Sequence, residues 1–149
     1  MRFVLVFVLA AVCSAPQAFA GRPGKYLDAQ QMSALAVKAE HATPKDRCYL
    51  YAKLVSAMVW QAGRELNAGN DAAATATLQA IRNYTAKIHS AATNHSKKLK
   101  DAQIMMDRTA FRLRELMKSS SVDDQQAFAA TLHQLNQVQS QMMLAVFRK

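Results

Sequence analysis

The sequence predicts an all-α protein, an elongated bundle of about four helices organised around one long central helix, and three observations carry that reading. Apolar residues recur at steps of three and four through most of the chain, from Met32 to Met142. Runs of alternating β-branched residues that would mark strands are absent. Glycine and proline are scarce, at four and three residues in 149, which leaves long stretches free of helix breakers.

Residues 1–20 read as a signal peptide. Met1 and Arg2 give a positive start, Phe3 to Val12 is an unbroken apolar run, and Ala18-Phe19-Ala20 before Gly21 forms a small-residue cleavage site. The run is too short for a transmembrane helix, which takes about 20 apolar residues, so the expectation is an exported, soluble protein, periplasmic or secreted after cleavage near Ala20. Val12 stands where a small residue would precede a lipid-modified cysteine, which argues against Cys13 as an anchor. Residues 21–27 form a flexible leader and residues 28–149 a single helical domain, the size of one ordinary core.

The elements follow in order. Asp28 to about Ala42 is expected to form a first helix, amphipathic through Met32, Leu35 and Ala39. Thr43-Pro44-Lys45-Asp46 then supplies an N-cap, a proline at the first helical position and an acid three residues after the cap. The second helix runs through Tyr51, Leu54, Val55, Met58, Val59, Ala62 and Leu66 and ends around Gly69. Asp71 is expected to cap the third.

From Leu78 the stripe continues through Ile81, Thr85, Ile88, Ala92, His95, Leu99, Ala102, Met106, Thr109, Leu113 and Leu116 without a slip of phase. The stretch Thr93 to Lys100 holds poor helix formers and clustered charge, which would suit a break and a compact four-helix bundle. The unbroken phase favours instead one helix over about 71–117, about 45 residues and roughly 65–70 Å long, with a bend near Asn94. Ser121 with Asp124 forms a capping box for a last helix from Val122 to about Phe147. Short turns make the flanking helices antiparallel to the spine, with the first helix placed along the spine's second half.

The formal net charge is +9, and loss of Arg2 with the leader lowers it by one. Such a balance favours anionic partners, an anionic envelope surface among them, and also serves solubility. Basic residues wind around the third helix without interleaved aromatics, which argues against nucleic acid. Once the leader is gone, Cys48 is the sole cysteine; no internal disulfide can form, and its place on the apolar side of a helix predicts a buried, inert thiol. An exposed thiol would instead pair two chains into a homodimer.

No catalytic constellation is present. There is no nucleophile-elbow frame, no phosphate-cradling glycine pattern, and no Cys-x-x-Cys for zinc or haem attachment. The four histidines include no i, i+4 pair, so no metal site and no cofactor is implied by a motif. Antiparallel pairing about Ser120 does set His133 opposite Met106 and His95 near Met142 or Met143, and imidazole with thioether can hold haem iron or Cu(I). A haem- or copper-binding bundle is therefore the alternative to the leading expectation, a non-enzymatic exported module that binds a partner. The residues that point to a partner are Ile104, Arg108 and Phe111, which share one face of the third helix opposite its seam. Cover by the first helix is expected there, and otherwise by another chain. Asn83-Tyr84-Thr85 and Asn94-His95-Ser96 match the glycosylation sequon, within predicted helix.

Overall fold

The computed structural model describes residues 27–92 and 97–147. The expected signal peptide, the leader up to Tyr26, and both Asn94 and His95 lie outside the described residues. Within them the chain forms α1 (Ala29–Glu40), α2 (Pro44–Asn67), α3 (Asp71–Ala91), α4 (Lys97–Ser119) and α5 (Val122–Phe147), and no strand.

Local sequence accounts for the ends of these helices. Asp28 accepts from the Gln31 amide N–H at 2.7 Å and Gln31 Oε1 accepts from the Asp28 N–H at 3.2 Å, a capping box that starts α1. Thr43 has the extended backbone of an N-cap but makes no side-chain cap bond, so Pro44 alone marks the start of α2. At its end Gly69 sits at φ 70°, with the Gly69 N–H on the Leu66 carbonyl and the Asn70 N–H on that of Glu65. Only glycine adopts that left-handed turn without strain. The α3 cap is Asn70 and not Asp71: the Asn70 side chain accepts from the Ala73 N–H at 3.2 Å, leaving Asp71 as the first helical residue, where its charge suits the dipole. Ser121 caps α5, its hydroxyl accepting from the Asp124 N–H at 3.2 Å while donating to the Asp124 carboxylate at 2.5 Å.

The long central helix is not formed. Two sets of contacts fix the directions of α3 and α4 against α2. At the start of α2, Lys98 of α4 pairs with Asp46 at 2.5 Å, and nearby Lys87 of α3 pairs with Glu40 at the end of α1 at 2.8 Å. At the far end of α2, Thr77 of α3 donates to Glu65 at 2.7 Å, and Leu116 of α4 lies against Gly63. The end of α3 and the start of α4 are thus at one end of the molecule, and the chain reverses between Ala92 and Lys97. The stripe kept its phase because two antiparallel helices facing one core carry the same repeat, and the step of seven from Ala92 to Leu99 preserves the count whether or not a helix joins them.

The result is a four-helix bundle of α2 to α5 with α1 laid on its outside. α2 packs against α3 and α4, α5 packs against the same two, and α3 and α4 occupy opposite corners. α2 and α4 run parallel, as do α3 and α5, the latter tied by Arg82 Nη1 to Thr131 Oγ1 at 3.2 Å and by Gln134 Nε2 to the Arg82 carbonyl at 2.9 Å. The seam residues Leu78, Ile81, Ile88, Leu99, Met106 and Leu113 are all buried together with Val55, Val59, Phe128, Leu135 and Met142. Threonines enter this apolar core at little cost: Thr85, Thr109 and Thr131 each donate at 2.8 Å to the carbonyl four residues back.

α1 does not continue beyond Pro44 along α4. It folds back on α2, where Met32 packs with Leu54 and Ala57 beside Tyr84, and Arg47 donates to the Ala42 carbonyl at 3.0 Å across the turn. Lys87 stands over the rings of Tyr51 and Tyr84 at 5.6 and 5.3 Å on that side. A compact bundle of this chain length should scatter X-rays in solution with a radius of gyration of roughly 15 Å. A spine of 65–70 Å would raise that to about 20 Å, and such a value would overturn the reversal between α3 and α4.

Candidate functional site

α4 is apolar on two sides. Its inner stripe of Leu99, Ala102, Met106, Thr109, Ala110 and Leu113 is buried. One flank meets α2, where the Arg112 guanidinium stacks on the Trp60 ring. The other flank meets α5, where Gln139 donates to the Asp107 carboxylate at 2.8 Å. Beyond that second flank Ile104 and Phe111 face water, 40% and 61% exposed, with Arg108 between them. With α1 packed on α2, nothing among the described residues covers this ridge. The expected cover by the first helix is therefore absent, because the chain between α1 and α2 turns back at Thr43-Pro44.

The ridge extends across to α5. In antiparallel helices with Asp107 beside Gln139, Ile104 lies level with Met142 and Lys100 with Val146, so Met143 and Phe147 each stand one residue further along. Met143, Leu144 and Phe147 are 45%, 66% and 77% exposed. Asp107, Arg108, Ala110, Phe111, Arg114 and Gln139 line a shallow, open hollow at the Phe111 end of this surface. Sequence reading found the α4 half, since Ile104 and Phe111 are two turns apart on the side away from the seam. It missed Met143 and Phe147. Their i, i+4 spacing just off the Met142 seam was the available signal, and it needed the pairing with α5 to acquire meaning.

Charge is distributed unevenly. Among the described residues Lys87 pairs with Glu40, Lys98 with Asp46 and Lys118 with Glu115. The hydrogen bond and charge of Lys87 hold the Glu40 carboxyl below its ordinary range, and the hydrogen bond from Lys98 does the same for Asp46. Lys100, Arg108 and Arg114, which border the ridge, have no ion pair among the described residues.

The histidine and methionine candidates are not brought together. Met106 and Met142 are buried in the core, whereas His133 is on the exposed face of α5. The register explains this: Asp107 beside Gln139 puts the α4–α5 pairing about three residues later than Ser120, so His133 is level with Leu113 and turned outward. His95 lies outside the described residues. No group of three His, Cys, Asp or Glu side chains that could hold a metal occurs among the described residues.

No protein-family model matches the chain, and neither a curated protein nor a solved structure matches it. No helix among the described residues is long and apolar enough to cross a membrane.

Cys48 is buried, 3% exposed, and burial pushes its thiol up to about 11. The native protein should resist alkylation at pH 8 and react only on unfolding. Because the folded thiol ionises above its unfolded value, it stays protonated where the unfolded chain has lost the proton. Stability should fall as pH rises from about 9 to about 11, by about 2 kcal/mol, and Cys48→Ala should flatten that part of the profile. Alkylation of the native protein as fast as of the unfolded chain would show an accessible thiol instead.

Proposed function

We propose that this chain is an exported, non-enzymatic helical-bundle module that works by binding a partner through the outer face of α4 and α5. The observation that carries the reading is the exposure of Ile104 and Phe111 on a helix whose structural stripe is already fully occupied. A single surface hydrophobe is ordinary, but Ile104, Phe111, Met143, Leu144 and Phe147 on two adjacent helices form a patch of the kind that marks an interaction site. Arg108 between Ile104 and Phe111 adds the residue type enriched at such interfaces. The apolar run and cleavage signal before Gly21 support export.

Truncating a buried neighbour and a ridge residue separates the two duties of α4. Leu113→Ala should cost about 2–5 kcal/mol of stability. Phe111→Ala should change it by no more than about 0.5 kcal/mol while weakening association roughly thirtyfold, the scale of an interface hot spot. Unfolding midpoints, sedimentation and recovery of partners from envelope extract read these effects. A Phe111→Ala protein unchanged in every kind of association would make the ridge ordinary surface and sink the proposal, and so would a stoichiometric haem or copper in protein from its native compartment.

A further inference from the structure

We propose that the partner of this face is an anionic lipid surface, against which α4 and α5 lie flat with their apolar side chains inserted between head groups. This rests on the binding role assigned to the same face above and names the chemistry of its partner.

The shape of the face argues for a bilayer. Phe111, Leu144 and Phe147 are more exposed than buried, and they project from the ridges of two adjacent antiparallel helices. The hollow between the helices is shallow and open, without the enclosed pocket in which a protein partner seats an anchor residue. A layer of mobile head groups, by contrast, accommodates protruding side chains without a complementary groove. Interfacial helices use this arrangement, with large apolar residues on one face and lysine or arginine at its edge.

Charge argues in the same direction. The cations bordering the ridge are Lys100, Arg108 and Arg114; the one acid among its lining residues is Asp107, which accepts from Gln139. None of the three cations has an ion pair among the described residues; of the other acids on the outer side of α4, Glu115 is engaged by Lys118 and Asp101 lies one turn before Ile104. Three cations of the face are thus left without an engaged acid among the described residues, and the phosphate groups of acidic lipids would engage them. From Phe111 to the level of Lys100 the face extends roughly 16 Å along the bundle, at 1.5 Å per residue, so its apolar and cationic residues can meet one membrane surface together.

The test is co-sedimentation with vesicles of phosphatidylcholine and phosphatidylglycerol in equal parts, compared with phosphatidylcholine alone. Wild type and variants are taken in the same form recovered after export, with the N-terminal residue read by mass spectrometry, so that any leader is common to all samples. Wild type should bind the anionic vesicles and release them as salt rises. Arg108→Gln and Arg114→Gln should each weaken binding about fivefold. Phe111→Ser and Phe147→Ser should weaken it about tenfold by removing an inserted ring. Melting temperatures confirm that each variant folds, and because the four positions are on the surface, loss of fold in one leaves the others to decide. Equal binding to both vesicle types, or variants that bind as wild type does, would overturn the inference. So would the absence of vesicle binding; if Phe111→Ala then still abolished self-association or capture of a protein, the binding role of the face would stand and only its lipid partner would fall.

Discussion

The parallel contact of α2 with α4 is the constraint on which the rest of the structure depends. It runs from Asp46 and Lys98 at one end to Gly63 and Leu116 at the other. Gly63 permits the approach: a Cβ there would come within 3.1 Å of a Leu116 methyl, tighter than side chains ordinarily pack. The ion pair at the other end is open to water and screened, so the apolar contacts of the seam carry the stabilisation and the pair marks the register. Because α3 also lies along α2, in the opposite direction, α3 and α4 are held at different corners and cannot be one helix. α5 then closes the square, pairing with both.

That constraint also decides what sequence periodicity could show. The inner residues of every helix were legible, from Leu54, Val55 and Val59 to Leu99, Met106 and Leu113, because burial of one stripe leaves a direct trace in the spacing. The ends of α2 and α5 were legible for a chemical reason, since Pro44, Gly69 and Ser121 each act on a backbone group within a few residues. The junction of α3 and α4 was not. Periodicity records which side of a helix faces the core and carries no information on whether the next helix points forward or back. The low helix propensity that begins at Thr93 is the one local signal against a continuous helix, and a phase that antiparallel helices share outweighs it.

The candidate site was half legible for a related reason. Ile104 and Phe111 could be assigned to a second face of α4 from spacing alone, since both lie on one element. Whether α1 covered them depended on the route of the chain after Thr43, which is a matter of tertiary packing. Met143 and Phe147 belong to the same surface only through the register between α4 and α5, fixed by contacts such as that of Gln139 with Asp107. The pairing of His133 with Met106 failed on this point. A shift of about three residues in the centre of an antiparallel pair changes both which residues are level and which way they point.

Structural and interaction surfaces on α4 are consequently separated by rotation about one axis. The core side is completed by α2, α3 and α5, so Leu99, Met106 and Leu113 have their full set of neighbours without help from outside. One flank is closed by Trp60 and Arg112, and two lysines of α4 have acids of their own, Lys98 with Asp46 at one end of the bundle and Lys118 with Glu115 near the other. Among the described residues, Lys100, Arg108 and Arg114, beside the exposed apolar residues, have no ion pair. Neither feature serves the folded monomer, since exposed rings gain nothing from burial and neighbouring unpaired cations repel one another. Their coincidence on one face is the feature that the proposed binding role would account for.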